Sequence, residues 1–441
     1  MNRLKRLWRT LRDSFWFLPL VIVAGSVAVA LALIQADTAE SQQWMARWPR
    51  LFGASAAGAR GVLSTIAGSM MTVVGVTFSM MLVTLTLASS QYTSRVLRNF
   101  TRDRVTQVVL GIFAGIFTYC LIVLRTVRDG EAARSIPSAA VTFGVVLAIG
   151  GIGALIFFIH HIAYSIQASS IIASVANETL EAIDRHFPLG SGQASMDGHE
   201  LRSPPPSDRP WHAVPAPANG YIQSVDKAVF MRLALEHHTI VRMNRGIGEF
   251  VVQGTPLASL ALTAPPAPEL MAGVQSAYAI HPHRTVEQDA AFGIRQMVDV
   301  ALRALSPGVN DTTTAVMCVD YLAAILARLA ARPIPSSYCH GEGELRAITI
   351  EPTFADLVSE SFSQIRASAG GNVAIMLRLL GAIEVVAGLT DSPGRRQTLG
   401  EQARWIAELA ERTIGSPHDR IRVEDRLATV HTALEMPITG P

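Results

Sequence analysis

Polar and charged side chains that could act together are densest between residues 284 and 320. They are Arg284, Glu287, Gln288, Asp289, Arg295, Gln296, Asp299 and Arg303, then Asn310, Asp311 and Asp320. On a helix Arg295, Asp299 and Arg303 fall four residues apart, in one column, which predicts a ladder of ion pairs. Two roles fit this cluster. One is a structural network tying the helix to the turn at 306–314. The other is a site for an anionic group, held by Arg284 or Arg303 and by the exposed amides that follow Asp311 at a helix start. No nucleophile is matched with a base and no metal-ligand spacing occurs, so we expect neither an enzyme nor a cofactor.

The remaining chemistry-bearing residues are sparser. His281-Pro-His283 and the adjacent His237-His238 lack the nearby Cys, Asp or His that would complete a metal set. Cys120, Cys318 and Cys339 are far apart, which implies no disulfide framework and no zinc site. His160-His161 fall at the end of an apolar run and mark a membrane interface where a pH response is worth testing.

What positions these residues is a chain that is part membrane and part aqueous. Its 441 residues are 49% hydrophobic and 16% charged, between the values of a soluble protein and of a purely membrane-embedded bundle. A net charge of +2 gives no whole-chain attraction to nucleic acid, and no nucleic-acid partner is expected. Four apolar stretches, at about 15–36, 61–94, 106–124 and 138–161, are long enough to cross a bilayer. Positive residues are denser at 1–13 and 95–104 than in the loops at 37–60 and 125–137. The positive-inside rule then puts both termini on the cytoplasmic side of a bacterial inner membrane.

The second stretch is unusual. It carries Ser64, Gly68, Thr72, Gly75, Ser79, Thr86, Ser90 and Thr93. At about 100° per residue these positions fall within roughly 40° of one direction, a single small and mildly polar stripe. The stripe fits either close packing between helices or a water-lined path, with Leu82 and Val83 as an apolar constriction. Arg95, Arg98 and Arg102 fall on the opposite face, where they meet lipid phosphates rather than a pore axis.

Beyond the fourth span, Ile162, Ile166, Ser169, Ala173, Ala176, Leu180, Ile183 and Phe187 alternate by four and three, the seam of a pairing helix. We expect this stalk, 163–187, to continue the fourth span and to pack on its own cytosolic domain or on a neighbouring subunit. A Gly, Ser and Pro-rich linker follows at 188–210. At 211–262 short β-rich runs bounded by glycines predict a small β module. Its cadence resembles half of a biotinyl or lipoyl sandwich, although Asp226-Lys227 lacks the surrounding half-repeat and no modification is expected there. From 275 to 441 the pattern is helical, with Thr285-Val-Glu-Gln288 as a capping box, a helix at 312–331 and later helices at about 353–369, 372–389, 394–414 and 417–435.

Two motifs carry a family resemblance: Val76 to Asp103, with its Ser-Ser-Gln-Tyr-Thr-Ser-Arg core at 89–95, and Arg284 to Asp311, ending Ser-Pro-Gly-Val-Asn-Asp. The chain resembles the bacterial family of predicted membrane proteins called domain of unknown function 2254. That resemblance implies a bacterial inner-membrane protein of this layout and supplies no activity. The expected fold is therefore mainly α: a four-helix transmembrane bundle (1–162), the stalk, the small β module and a cytosolic α-helical bundle. The expected partners are the lipid bilayer and further copies of the chain. The function expected first is an oligomeric channel or transport path around the second span, and the alternative is a non-conducting scaffold or sensor working through the stalk.

Overall fold

The computed structural model describes residues 16–36, 56–91, 103–127, 137–188, 194–195 and 209–436. Arg95, Arg98, Arg102, Thr93 and most of the linker lie outside them. The chain is mainly helical and divides into two compact units after Gln167.

Among the described residues the first unit has four apolar helices: α1 (Phe17–Ala36), α2 (Ala56–Gln91), α3 (Arg104–Thr126) and α4 (Ser138–Ser165). All four are long and apolar enough to cross a membrane. The helix around which the other three pack is α3. Its side chains Phe113, Tyr119, Cys120 and Val123 are fully buried. Gly111 and Gly115, one turn apart, let α1 approach closely: a Cβ on Gly111 would lie 2.8 Å from Ile22 Cδ1, and one on Gly115 2.5 Å from Ser26 Oγ. On α4, Gly144 and Gly151 admit Leu63 and Ile116 in the same way, at 3.2 and 3.0 Å. Both ends of α3 are capped by side chains. Asp103 accepts from the amides of Val105 and Thr106 at 3.1 and 3.3 Å, and Arg60 donates twice to the Val127 carbonyl, at 3.0 and 2.8 Å.

The expected unbroken stalk is two helices. Helix α4 stops at Ser165, and α5 (Ala168–His186) starts after a tight turn in which the Gln167 amide bonds the Tyr164 carbonyl. Ser165 Oγ also donates to the His161 carbonyl at 2.8 Å, a back-bond of the kind that bends helices. The break resets the helical phase. Ala176, Ile183 and Phe187 of the expected seam are buried, but Ser169 is exposed and the buried face runs through Ile172, Val175 and Thr179.

In the second unit a five-stranded sheet has the order β2 (Trp211–Pro215), β6 (Pro256–Ala261), β4 (Val241–Met243), β10 (Glu344–Ile348), β9 (Tyr338–Gly341). A three-stranded sheet orders β5 (Phe250–Val251), β3 (Gly220–Val225), β7 (Tyr278–His281). The β module therefore draws strands from outside 211–262. The β9–β10 hairpin interrupts the expected all-helical region, and β10 joins β4 in parallel. Two helices lie within the module, α6 (Lys227–Glu236) and α7 (Pro268–Ser276). Asp226 caps α6 through the amides of Ala228 and Val229, and Lys227 pairs with Glu351. A helix start rather than a hairpin tip occupies this position, so the likeness to a biotinyl or lipoyl sandwich does not extend to the fold.

The helices α8 (Ala290–Ala304), α9 (Thr312–Ala330), α10 (Phe354–Ser368), α11 (Val373–Ala387), α12 (Pro393–Thr413) and α13 (Pro417–Glu435) complete the unit. Helix α9 is a fifth helix apolar and long enough to span a bilayer. Here it packs against α5, α8 and α11, and its Leu322, Ile325, Leu326 and Leu329 are fully buried. The short strands β1 (Ala194–Ser195) and β8 (Ile334–Pro335) pair antiparallel.

Two buried arginines hold helix C-termini. Arg332 donates to the carbonyls of Phe187 and Ile183 beyond and within the last turn of α5, at 2.8 and 3.5 Å, and pairs with Asp184 at 2.7 Å. Arg395, 1% exposed, donates to the carbonyls of Ala330, Leu329 and Arg332 at 2.8, 3.4 and 2.9 Å. Arg395→Met keeps the apolar stem and leaves these carbonyls without a charged donor. We expect it to lower the unfolding free energy of the second unit by about 3 kcal/mol, read as a lower urea midpoint in the fluorescence of Trp211 and Trp405. A midpoint equal to the parent's would show that the clamp contributes nothing.

Candidate functional site

The structure places two groups of sequence-selected residues in different units. In the first unit Leu63, Ala67, Met70, Thr77 and Thr84 of α2 are buried on the side that packs on α3 and α4. Ser64, Gly68, Thr72, Gly75, Ser79 and Thr86 are all exposed on the opposite side. A Cβ built on Gly68 or Gly75 would meet nothing within 4 Å. Leu82 and Val83 are 49% and 56% exposed on the same side. Ser90 lies in α2, but its side chain is outside the description, as is Thr93. The hydroxyls of Thr72 and Thr86 donate to the carbonyls of Gly68 and Leu82 in their own helix, at 3.1 and 2.8 Å. The stripe therefore has no partner within its own chain among the described residues. Within the chain, close helix packing is provided by Gly111 and Gly115 of α3.

At the other end of α3, Asp103 Oδ2 also lies 2.9 Å from His161 Nε2. This pair links the start of α3 to the last turn of α4, beside the break before α5. Sequence reading singled out His161 as interfacial but had no means of finding its carboxylate partner 58 residues away.

In the second unit the cluster resolves into separate contacts. Arg284 donates to Asp289 Oδ2 through Nε at 2.9 Å and Nη2 at 2.8 Å, and its guanidinium covers the Phe292 ring at 4.9 Å. Asp289 Oδ1 accepts the Phe292 amide, so Asp289 and not Thr285 caps α8, and the helix begins at Ala290. Gln288 is drawn away to accept the Val225 amide at 3.0 Å, which joins β3 to the entry of α8. Gly248, with φ +84°, closes the pair: a Cβ there would lie 2.4 Å from Asp289 Oδ2 and 2.7 Å from Arg284 Nη2. Burial pushes the Asp289 carboxyl above the ordinary range, and the adjacent Arg284 offsets this only in part.

Arg295 bonds Asp299 at 3.0 Å and Glu360 of α10 at 3.2 Å, half of the expected ladder plus one partner not foreseen. Arg303 is exposed in the last turn of α8. Asp311 caps α9, accepting from the Thr314 amide and hydroxyl, and the Thr314 hydroxyl bond holds its carboxyl below the usual range. Two of the groups named for the anion site are thus engaged from within: Asp289 neutralises Arg284, and the Asp311 carboxylate occupies the start of α9, while Arg303 lies exposed. The arrangement is a structural junction between the sheets and the helices. No group of three or more His, Cys, Asp or Glu among the described residues could hold a metal.

Several membrane-length apolar helices, with a mixed sheet and helix unit after the first four, define a membrane protein. The chain belongs to the family described as Predicted membrane protein (DUF2254), which matches residues 12–385. Relatives include uncharacterized proteins of Mycobacterium bovis and of Mycobacterium tuberculosis strain H37Rv, each 34% identical over the whole chain and 84% of the relative. No solved structure matches.

The junction makes two predictions. Gly248→Ala combines a strained φ with displacement of the Arg284–Asp289 pair and lowers the melting temperature, whereas Gly254→Ala, whose Cβ meets nothing within 4 Å, bears the strain alone and lowers it less. Equal losses would remove the role given to the pair. Because burial raises the Asp289 pKa, the folded state holds that proton more tightly than the unfolded chain. Its stabilising effect is complete below about pH 3.9 and falls as pH rises through the higher folded value. The stability of the parent relative to Asp289→Asn therefore declines as pH increases above about 4; a flat or rising difference in denaturation free energy would contradict this.

Proposed function

We propose that this protein crosses the bacterial inner membrane four times with both termini cytoplasmic, and that copies assemble with their α2 helices turned toward one another. In this reading the stripe from Ser64 to Thr86 faces a shared axis and borders a path for an ion or small solute, with Leu82 and Val83 at its narrowest level. The observation that carries it is the orientation of α2. Leu63 and Met70, with Thr77 and Thr84, pack on α3 and α4, while Ser64, Gly68, Thr72, Gly75, Ser79 and Thr86 are left on the exposed side among Met71, Val76, Leu82 and Val83, where a like helix could approach closely. The reading involves no catalytic step.

A non-conducting sensor or scaffold is the second reading. It is favoured by the docking of α5 on α8 and α9, where a Cβ on Gly293 would lie 2.0 Å from Thr179 Oγ1 and Arg332 holds the last turn. A helix fixed in this way reports any movement of the second unit to the chain that precedes it.

Cysteines placed at Thr72, Ser79 and Thr86 separate the two. On the first reading they react with a water-soluble thiol reagent in intact vesicles, Ser79→Cys crosslinks between copies, and reconstituted protein passes ions. Complete protection at all three positions together with absent flux would exclude the path and leave the sensor.

A further inference from the structure

The second unit carries a cleft of about 950 Å³ whose floor is α11 and whose walls are α9 and α13. The floor is built of small or apolar residues, Ala374, Leu377, Gly381 and Val385, and Val385 is 55% exposed. Gly381 sets the depth, since a Cβ there would lie 2.8 Å from the Arg426 guanidinium. The walls carry both signs of charge, and most are matched: Arg378 pairs with Asp320, and Arg426 with Glu384 at 2.6 Å.

Helix α13 is the informative wall. Val423 and Val430 are buried against the unit, while Ile421, Arg422, Asp425, Ala428 and Thr429 are exposed. At about 100° per residue these five positions share one face, directly opposite the two valines. Arg422 and Asp425 lie about one turn apart on this face. Arg422 has a local partner in Asp419 at 3.1 Å, whereas the Asp425 carboxylate has no hydrogen-bond or ion-pair partner among the described residues.

We propose that this face and cleft are where the second unit meets a second copy of the chain, with α13 antiparallel to its counterpart across a two-fold axis. A face carrying a cation and an anion one turn apart is complementary to itself after a half-turn, which sets Arg422 over the partner's Asp425 and Asp425 over the partner's Arg422. An anionic membrane surface or nucleic acid would be opposed by Asp320 and Asp425. Ala428 and the small floor allow the close approach that helix pairing needs. The inference rests on the homo-oligomer in the reading above but concerns a different surface from α2.

Two differently tagged copies of the full chain, each carrying Ile421→Cys on the proposed α13 contact, are co-expressed, oxidised, denatured so that only disulfide-linked copies stay together and captured by one tag, and the recovered second tag is quantified. Melting temperatures near the parent's establish that each variant is folded. Arg422→Glu in both copies, or Asp425→Arg in both copies, lowers recovery about tenfold, because each substitution turns two attractive contacts into repulsive ones. An Arg422→Glu copy mixed with an Asp425→Arg copy restores recovery, since both contacts become attractive again. Single variants that recover at the parent level, or a mixed pair that does not recover, would overturn the proposal. Ser79→Cys crosslinking in the same variants without Ile421→Cys reads the α2 contact separately, so its persistence after such a result leaves the membrane reading standing.

Discussion

A buried helix end leaves its last carbonyls without partners unless a side chain reaches them, and the second unit meets this requirement with two guanidinium groups. Arg332 holds the end of α5, and Arg395 holds the end of α9 together with the backbone of Arg332 itself. The two sites form one chain of charge and carbonyl. Loss of Arg395 therefore reaches α5 through the segment that carries Arg332. A cation at a helix C-terminus also gains from the helix dipole, which partly compensates for burying it. Phe354 supports the outer end of the same guanidinium at 5.1 Å.

In the first unit the comparable constraint is closeness of backbones. Lipid offers no hydrophobic force between helices, so association depends on small residues that permit contact. Gly111, Gly115, Gly144 and Gly151 supply it around α3, and each would clash with or press on a neighbour if given a Cβ. The glycines of α2 do not: Gly61, Gly68 and Gly75 meet nothing. Small residues in this unit thus have two different environments: Gly25 of α1 and Gly150 and Gly153 of α4 are as open as the glycines of α2, whereas Ala59 and Ala67 of α2 are buried in the bundle.

Much of the architecture was legible because it obeys local rules. Proline after Ser392 and Ser416 announced the starts of α12 and α13, and both serines cap as expected. Four apolar runs located α1 to α4 to within a few residues. What escaped depended on distant partners. The parallel pairing of β10 with β4 joins residues about a hundred positions apart, and a short hairpin inside a helical stretch has no period long enough to detect. The capping box at Thr285 was a valid local pattern that lost to a tertiary one, because Gln288 is held by Val225 and Asp289 is locked by Arg284. The Gly111-Ile-Phe-Ala-Gly115 spacing that brings α1 against α3 was present in the sequence and was not singled out.

Charge in the second unit is mostly matched within the chain: Arg284 with Asp289, Arg295 with Asp299 and Glu360, Arg332 with Asp184, Arg378 with Asp320. A site that must bind a free anion needs a cation whose field is not already cancelled, and none of these supplies one. Matched charges around an apolar floor act differently. They add little to affinity individually, but they penalise a partner that misaligns them, so they select register and identity. Recognition by such a surface depends on shape and on the order of signs along a helix. That order, on α13, is satisfied by the same sequence turned around.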